Sequence, residues 1–361
     1  MTAGGERPAP ETEGIVVTSR VRLARNIEGF PFPGWSRKPE RLRVLEKILP
    51  TVEALPEMKG GASHAMDALA ALDKQVLVEK HLISREHAGK NVGSAVVINR
   101  SETLAVMLNE EDHLRMQAIR PGFCLEKVYA LVNEADTRLE EALPFAFSSK
   151  LGYLTACPTN VGTGMRASAM LHLPALVLAD HMSKIISAVN KLGLAVRGLY
   201  GEGTEALGNL FQISNQMTLG EREADILGRL KNVVSEIARH EINARATLLE
   251  KSPRMLYDHI GRAYGVLAHA RVISSKEGMN LLSMIHLGVA LGAFGRLAAE
   301  DVDRLFMETQ PAHLQRGRGR SRLSAEERDA LRADLIRSVV GRGEPPKLDI
   351  PPPTGESPKT T

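Results

Sequence analysis

Two textures divide this chain, and the first of them limits the fold most. Up to about residue 220, short β-rich runs (15–18, 75–78, 94–99, 104–108, 194–197 and 212–217) alternate with helical stretches. The runs 94–99 and 104–108 stand either side of Arg100-Ser101-Glu102-Thr103, a short polar connection that reads as a hairpin. Strands joined so tightly pair antiparallel. The expected class is therefore α+β, a largely antiparallel sheet flanked by helices rather than a doubly wound parallel one. From Glu221 onward the texture is helical. Ile226, Leu227, Leu230, Val233, Val234 and Ile237 recur at spacings of three and four, one face of an amphipathic helix, and 281–297 and 324–340 repeat the pattern.

A chain of 361 residues suggests roughly two domains. We expect a disordered leader over 1–13, a sheet-bearing domain over 14–250, an all-helical C-terminal domain over 251–341 and a loose Pro/Gly-rich tail over 342–361. Forty-six basic residues against 43 acidic leave +3, too little to propose a nucleic-acid or membrane-surface protein from charge alone. Two cysteines, Cys124 and Cys157, cannot build a disulfide framework or a Cys-rich zinc site. The first residues hold no apolar signal region. The most apolar run, 170–179, carries His172 and Pro174 and is far short of the roughly 20 residues that span a bilayer. A cytoplasmic protein is expected.

The common enzyme signatures fail. There is no Walker-type phosphate loop. His240-Glu241 begins like a metalloprotease helix, but Ala244 stands where the second histidine belongs. Asn160-Val161-Gly162-Thr163-Gly164 lacks the third glycine of a dinucleotide fingerprint, and no Gly-x-Ser-x-Gly elbow occurs.

What remains is arginine and carboxylate set among small, turn-forming residues. In Thr18-Ser19-Arg20-Val21-Arg22, at the end of a strand, Arg20 and Arg22 project to one side because strand side chains alternate. Two guanidinium forks on one face suit a polyphosphate. Arg115, Arg166 and Arg197 would complete a cage if the fold gathers them, since clustered arginines without matching carboxylates demand an anion. Glu110, Glu111 and Asp112 follow an apolar strand, and Glu202 sits between Gly201 and Gly203. Carboxylates from two loops would clamp a cation, and a guanidinium fits them best.

Asn109 to Arg115 reads NEEDHLR and Cys157 to Thr163 reads CPTNVGT. With Ser19-Arg20-Val21-Arg22 and Arg197-Gly198-Leu199-Tyr200-Gly201-Glu202, these resemble the phosphagen (ATP:guanido) kinase family, in the family's order, over about 14–242. Its small-molecule members carry a helical domain before the Ser-Arg-x-Arg strand, where only 18 residues precede Ser19 here. The helical C-terminal region with Arg328-Asp329-Ala330-Leu331-Arg332-Ala333 is instead similar to the bacterial protein-arginine kinases of the McsB type, supported by 76–84, which reads VLVEKHLIS.

The resemblance implies a glutamine-synthetase-like catalytic sheet and phosphorylation of arginine side chains in proteins by ATP. By resemblance Glu111 is the base, Glu202 its partner, and the Cys157 sulfur lies near the guanidinium, where positive charge favours a thiolate. Arg20, Arg22, Arg115, Arg166 and Arg197 hold the phosphates. The implied nucleotide-binding segments are Thr18 to Arg22, Arg166-Ala167-Ser168-Ala169-Met170, and Arg197-Gly198-Leu199-Tyr200-Gly201-Glu202, with His81 close to the nucleotide. Magnesium is expected to arrive with ATP, with no protein ligand named and no tightly bound cofactor.

A second site is expected near the C-terminus. Ser324 to Glu327 is a capping box opening a helix with Leu331, Leu335, Ile336 and Val339 as its apolar stripe. Arg328, Asp329, Arg332 and Ala333 would then form an allosteric phosphoarginine pocket, arginine meeting phosphate and aspartate meeting guanidinium. The resemblance further implies protein substrates with exposed arginines, an activator protein, a Clp-type ATPase and protease acting on marked proteins under stress, and a homodimer. Two alternatives stay open. One is a kinase of a small free guanidino compound. The other is a binder using Arg316-Gly317-Arg318-Gly319-Arg320-Ser321-Arg322 on nucleic acid, although that run reads more simply as a solvated linker or a target of self-phosphorylation.

Overall fold

The computed structural model describes residues 12, 14–198, 206–319, 323–342 and 344–348. In chain order these form β1 (Val16–Arg25), α1 (Lys38–Glu53), β2 (Ala62–Ala65), α2 (Ala71–Glu79), α3 (Arg85–Ala88), β3 (Ala95–Ile98), β4 (Leu104–Leu108), β5 (Leu114–Pro121) and α4 (Leu125–Ala142). A small ribbon follows, β6 (Phe147–Ser148) and β7 (Gly152–Tyr153), then β8 (Met165–His172), α5 (Pro174–Leu178), α6 (Met182–Lys191), β9 (Leu194–Gly198) and β10 (Leu210–Asn215). The rest is helical: α7 (Glu223–Lys251), α8 (Pro253–His269), α9 (Ser275–Ala290), α10 (Ala299–Glu308), α11 (Pro311–Gly317) and α12 (Ala325–Val340).

The strands form one sheet in the order β2-β3-β4-β5-β1-β8-β10-β9, and every pairing in it is antiparallel. The expected α+β class is the observed one. Asn99 builds the expected hairpin, its side-chain oxygen accepting the Thr103 and Leu104 N–H groups at 2.9 and 3.0 Å, while Glu102 takes a left-handed φ of 54°. Strand β1 occupies the middle of the sheet. Its Val21 and Leu23 drop into the core against α4, and each such burial contributes about 2 kcal/mol. Arg20 and Arg22, the alternate residues, emerge on the opposite face.

The sequence reading needs four corrections. Residues 75–78 are not a strand but the end of α2, whose buried residues are Lys74 and Val76. Strand β1 runs to Arg25, so Arg20 and Arg22 sit mid-strand rather than at its end. The helix expected over 281–297 stops at Ala290, before Gly292 with its φ of 74°. The tail is not loose throughout: Lys347 N–H donates to the Ala293 carbonyl at 2.8 Å, and Leu348 packs on the core. The capping box at Ser324 and Glu327 is present as read. Helix α7 ends at Lys251 and α8 starts at Pro253, yet Leu256, Ile260 and Leu287 join the same apolar cluster as the sheet. A second cluster unites α8, α9, α10 and α12 around Leu282, Leu305 and Ile336.

Candidate active site

Register decides which side chains share the sheet's open face. Arg22 lies opposite Arg166 on β8 and Gln117 on β5, and Arg20 opposite Ser168. Met170 pairs with Gln212, which pairs in turn with Arg197 on β9. Because side chains alternate, these partners and Arg115, two residues before Gln117, all rise on one side. Arg20, Arg22, Arg115, Arg166 and Arg197 thus line a single cavity of about 1090 Å³.

These arginines have few anions to meet. Arg20 donates to Gln212 Oε1 at 2.9 Å and Arg166 to Ser214 Oγ at 3.1 Å, both neutral partners. The buried Arg22 Nε has no hydrogen-bond partner among the described residues. Burial, then Arg115 and Arg166, pull the Arg20 guanidinium down to about 10. Burial and the neighbouring arginines shift Arg22 and Arg166 the same way. Cations held this close, with an orphaned N–H among them, form a site completed by a polyanion.

The acids line the same cavity. Asn109 turns the loop with a left-handed φ of 56°, its amide donating to the Arg41 and Gly93 carbonyls at 2.9 and 2.8 Å. Glu110 then receives Arg115 Nη1 on both oxygens at 2.6 and 2.8 Å, and also accepts from Ser84 Oγ and the Glu111 N–H. Burial pushes this carboxyl up, but the Arg115 charge and these bonds outweigh it, and the net shift is downward. Asp112 Oδ1 accepts from Asn26 Nδ2 and the Ala156 N–H, both at 2.6 Å, tying the acidic loop to the segment that carries Cys157. Glu111, between these two braces, makes no such commitment among the described residues and lines the cavity. Burial, then repulsion from Asp112 and Glu110, raise its pKa, which suits a carboxylate to proton acceptance.

Cys157 opens a loop with little freedom. Its sulfur lies 3.0 Å from Thr159 Oγ1, and Thr155 Oγ1 donates to its carbonyl at 2.8 Å. Gly162 has a φ of 116°, and a Cβ there would sit 2.6 Å from the Thr218 carbonyl oxygen, so no other residue fits. Arg25 anchors the loop from beneath, pairing with Asp136 at 2.6 Å, donating to the Thr163 carbonyl at 2.9 Å and lying 3.6 Å over the Tyr153 ring.

An adjoining cavity of about 250 Å³ shares Arg20, Arg22 and Arg115 and is lined by Thr18, His81, Ser168 and Met170. Burial, then the Arg20 charge, lower His81 to about 4, so it is neutral near pH 7. Ser19, Val21, Ala167 and Ala169 need correction. Their side chains face the buried side, Ser19 donating to the Gly122 carbonyl at 2.8 Å, because strand alternation halves any contiguous binding segment. Gly198 lines the main cavity with Arg197, whereas Leu199, Tyr200, Gly201 and Glu202 lie outside the described residues.

Residues 43–244 match the family model for the ATP:guanido phosphotransferase C-terminal catalytic domain, and 253–349 match that for the protein-arginine kinase McsB C-terminal domain. The chain belongs to the ATP:guanido phosphotransferase family, in the branch of the protein-arginine kinases. It is 45% identical to the protein-arginine kinase of Halothermothrix orenii over 91% of this chain and 93% of that one. For the protein-arginine kinase of Moorella thermoacetica the figures are 44%, 93% and 96%. The structure is similar to the duplicated taurocyamine kinase of Schistosoma mansoni, with a TM-score of 0.61, 25% identity, and coverage of 76% of this chain and 40% of that one. It is also similar to lombricine kinase, with a TM-score of 0.58, 25% identity, and coverage of 66% and 69%.

Within this guanido phosphotransferase, two positioning residues went unassigned in the sequence reading: Glu110, which aims Arg115, and Asp112, which ties two loops together. Their acidity was visible, but their partners are 26 to 86 positions away, apart from Arg115 and the Glu111 N–H. The second expected site looks different from the first. Arg332 is buried, donating to the Thr309 and Ile273 carbonyls at 3.0 and 2.8 Å and to Asp329. Ala333 is buried in the helical core, and Arg328 caps the Leu323 carbonyl at 2.7 Å. Of the run 316–322, residues 320–322 lie outside the described residues. No helix among the described residues is long and apolar enough to cross a membrane.

Proposed function

We propose that this protein transfers the γ-phosphoryl group of ATP to the guanidinium of arginine side chains in proteins. The reading is carried by what shares one cavity: five arginines with scarce counter-charge, together with Glu111 and Cys157. The arginines take the triphosphate, which supplies the missing negative charge. A substrate guanidinium lies between the γ-phosphate and Glu111. As the N–P bond forms and the bond to the ADP oxygen breaks, the guanidinium proton passes to Glu111. Glu202 is assigned the role of second carboxylate, and magnesium that of a companion of ATP held by phosphate and water.

Relatives named protein-arginine kinase, similar over nine-tenths of the chain, support a protein substrate over a free guanidino compound. On the family resemblance alone we assign the finer roles: a cytoplasmic homodimer that works with an activator protein, marks proteins for a Clp-type protease during stress, and senses phosphoarginine through Arg328 and Asp329. The 14–250 and 251–341 division belongs to the same reading. Incubation with ATP and an arginine-containing protein, followed by mass spectrometry at neutral pH, should place phosphate on arginine. Transfer only to free arginine would favour the small-molecule reading. Isothermal titration should show phosphoarginine binding that Arg328→Ala removes.

A further inference from the structure

Large apolar side chains left in solvent are unevenly spread over this molecule. Ten such residues stand exposed among those described, and five of them lie either on a loop that lines the cavity (Trp35) or on segments that hydrogen-bond to the Cys157 loop (Phe147, Leu151, Met217 and Leu219). Trp35, the single tryptophan, lines that cavity and is nevertheless 88% exposed, which puts its indole at the mouth. Its loop is fixed from below: His113 Nδ1 accepts the Ile27 N–H at 3.0 Å, so Nε2 carries the proton and donates to the Pro31 carbonyl at 3.1 Å.

The other members ride on the braces of the Cys157 loop. Thr218 Oγ1 donates to the Val161 carbonyl at 2.8 Å, and its neighbours Met217 and Leu219 are 62% and 48% exposed. Tyr153 N–H donates to the Gly162 carbonyl at 2.8 Å, and the Phe147 ring, 59% exposed, stacks edge-on to Tyr153 at 5.2 Å. Trp35 lines the polar cavity itself and the others flank the loop that carries Cys157, a grouping that suits a docking surface better than scattered surface hydrophobes do.

We propose that this rim binds an extended, apolar stretch of polypeptide flanking the arginine to be phosphorylated, and so selects arginines in segments whose apolar side chains are free. The inference rests on the kinase reading given above and deepens it. An arginine that reaches Glu111 brings its own backbone to the cavity mouth, and its neighbours in sequence fall on Trp35 and the apolar residues around the Cys157 loop. A free guanidino compound would leave the rim bare.

Trp35 is its own reporter. Full-length protein is titrated, without ATP, with tryptophan-free dodecapeptides holding one arginine flanked either by Leu, Val and Phe or by Gly and Ser. The indole emission should shift to the blue with the apolar peptide and stay in place with the other. In the kinase assay the apolar peptide should show a KM about tenfold lower at similar kcat, and the Met217→Ser/Leu219→Ser double variant should raise its KM to that of the Gly/Ser peptide. Circular dichroism checks that this variant, changed only at exposed positions, is folded. An absent shift, or a KM indifferent to flanking residues or to the double substitution, would overturn the proposal. A shift on concentrating the protein alone would give the rim to a second copy and overturn it too. A shift with the apolar peptide but no transfer to any peptide would uphold the docking surface and overturn the kinase reading instead.

Discussion

Arg22 and Arg25 are three residues apart on one strand, and Arg332 lies on a distant helix, yet Arg25 and Arg332 are the similar pair. Arg25 meets Asp136 and the Thr163 carbonyl; Arg332 meets Asp329 and the Thr309 and Ile273 carbonyls. Both spend their charge on a carboxylate and on backbone carbonyls of the fold. Arg22, by contrast, lines the cavity among arginines that repel it and has no ion pair among the described residues. The lesson is that an arginine's role follows from what compensates its charge: protein oxygens make it a bolt, and their scarcity makes it a ligand for something absent from the chain.

The contrast can be pressed from both sides. The largest effect should come from the acid facing the arginines: Glu111→Gln should lower kcat by about a thousandfold, the upper half of what a general base supplies, with ATP affinity by titration calorimetry unchanged. Since burial and its acidic neighbours raise the Glu111 pKa, and the base must be ionised, wild-type kcat should fall as pH drops through a value above the ordinary carboxylate range. Transfer by Glu111→Gln should lack that limb. Next, Arg332→Ala strands Asp329 and two carbonyls and should cost about 3 kcal/mol in urea unfolding. Arg22→Ala reverses the pattern: unfolding stability should hold or rise, while ATP binding weakens by about 2 kcal/mol, roughly thirtyfold in Kd. An Arg22→Ala protein as unstable as Arg332→Ala would erase the distinction. Smallest, Ser324→Ala removes the cap of α12 and should cost about 1 kcal/mol.

Much of the open face could be read before any coordinates, because strand alternation alone puts Arg20 and Arg22 on one side and the polar connection 100–103 marks a hairpin. Alternation also limits the reading: Ser19, Val21, Ala167 and Ala169 belong to the motif segments but face the core. Gathering of Arg115, Arg166 and Arg197 depends on register between strands far apart in sequence, which spacing does not encode. The same holds for Glu110 and Asp112, whose importance comes from Ser84, Asn26 and Ala156. Helix α2 was misread because the apolar run Val76-Leu77-Val78 is too short to tell a strand from a helix. The burial of Arg332 was not legible because a helix face gives no hint that two carbonyls from other segments converge on it.

The central claim is that the cavity moves phosphate from ATP to a protein nitrogen, with Glu111 as base. Transfer of label from γ-labelled ATP to an arginine-containing protein measures it directly. The label should be lost in acid and kept in alkali, as a phosphorus–nitrogen bond on arginine requires, and Glu111→Gln should transfer almost none while still binding ATP. Acid-stable label, or label transferred equally by Glu111→Gln, would contradict the account.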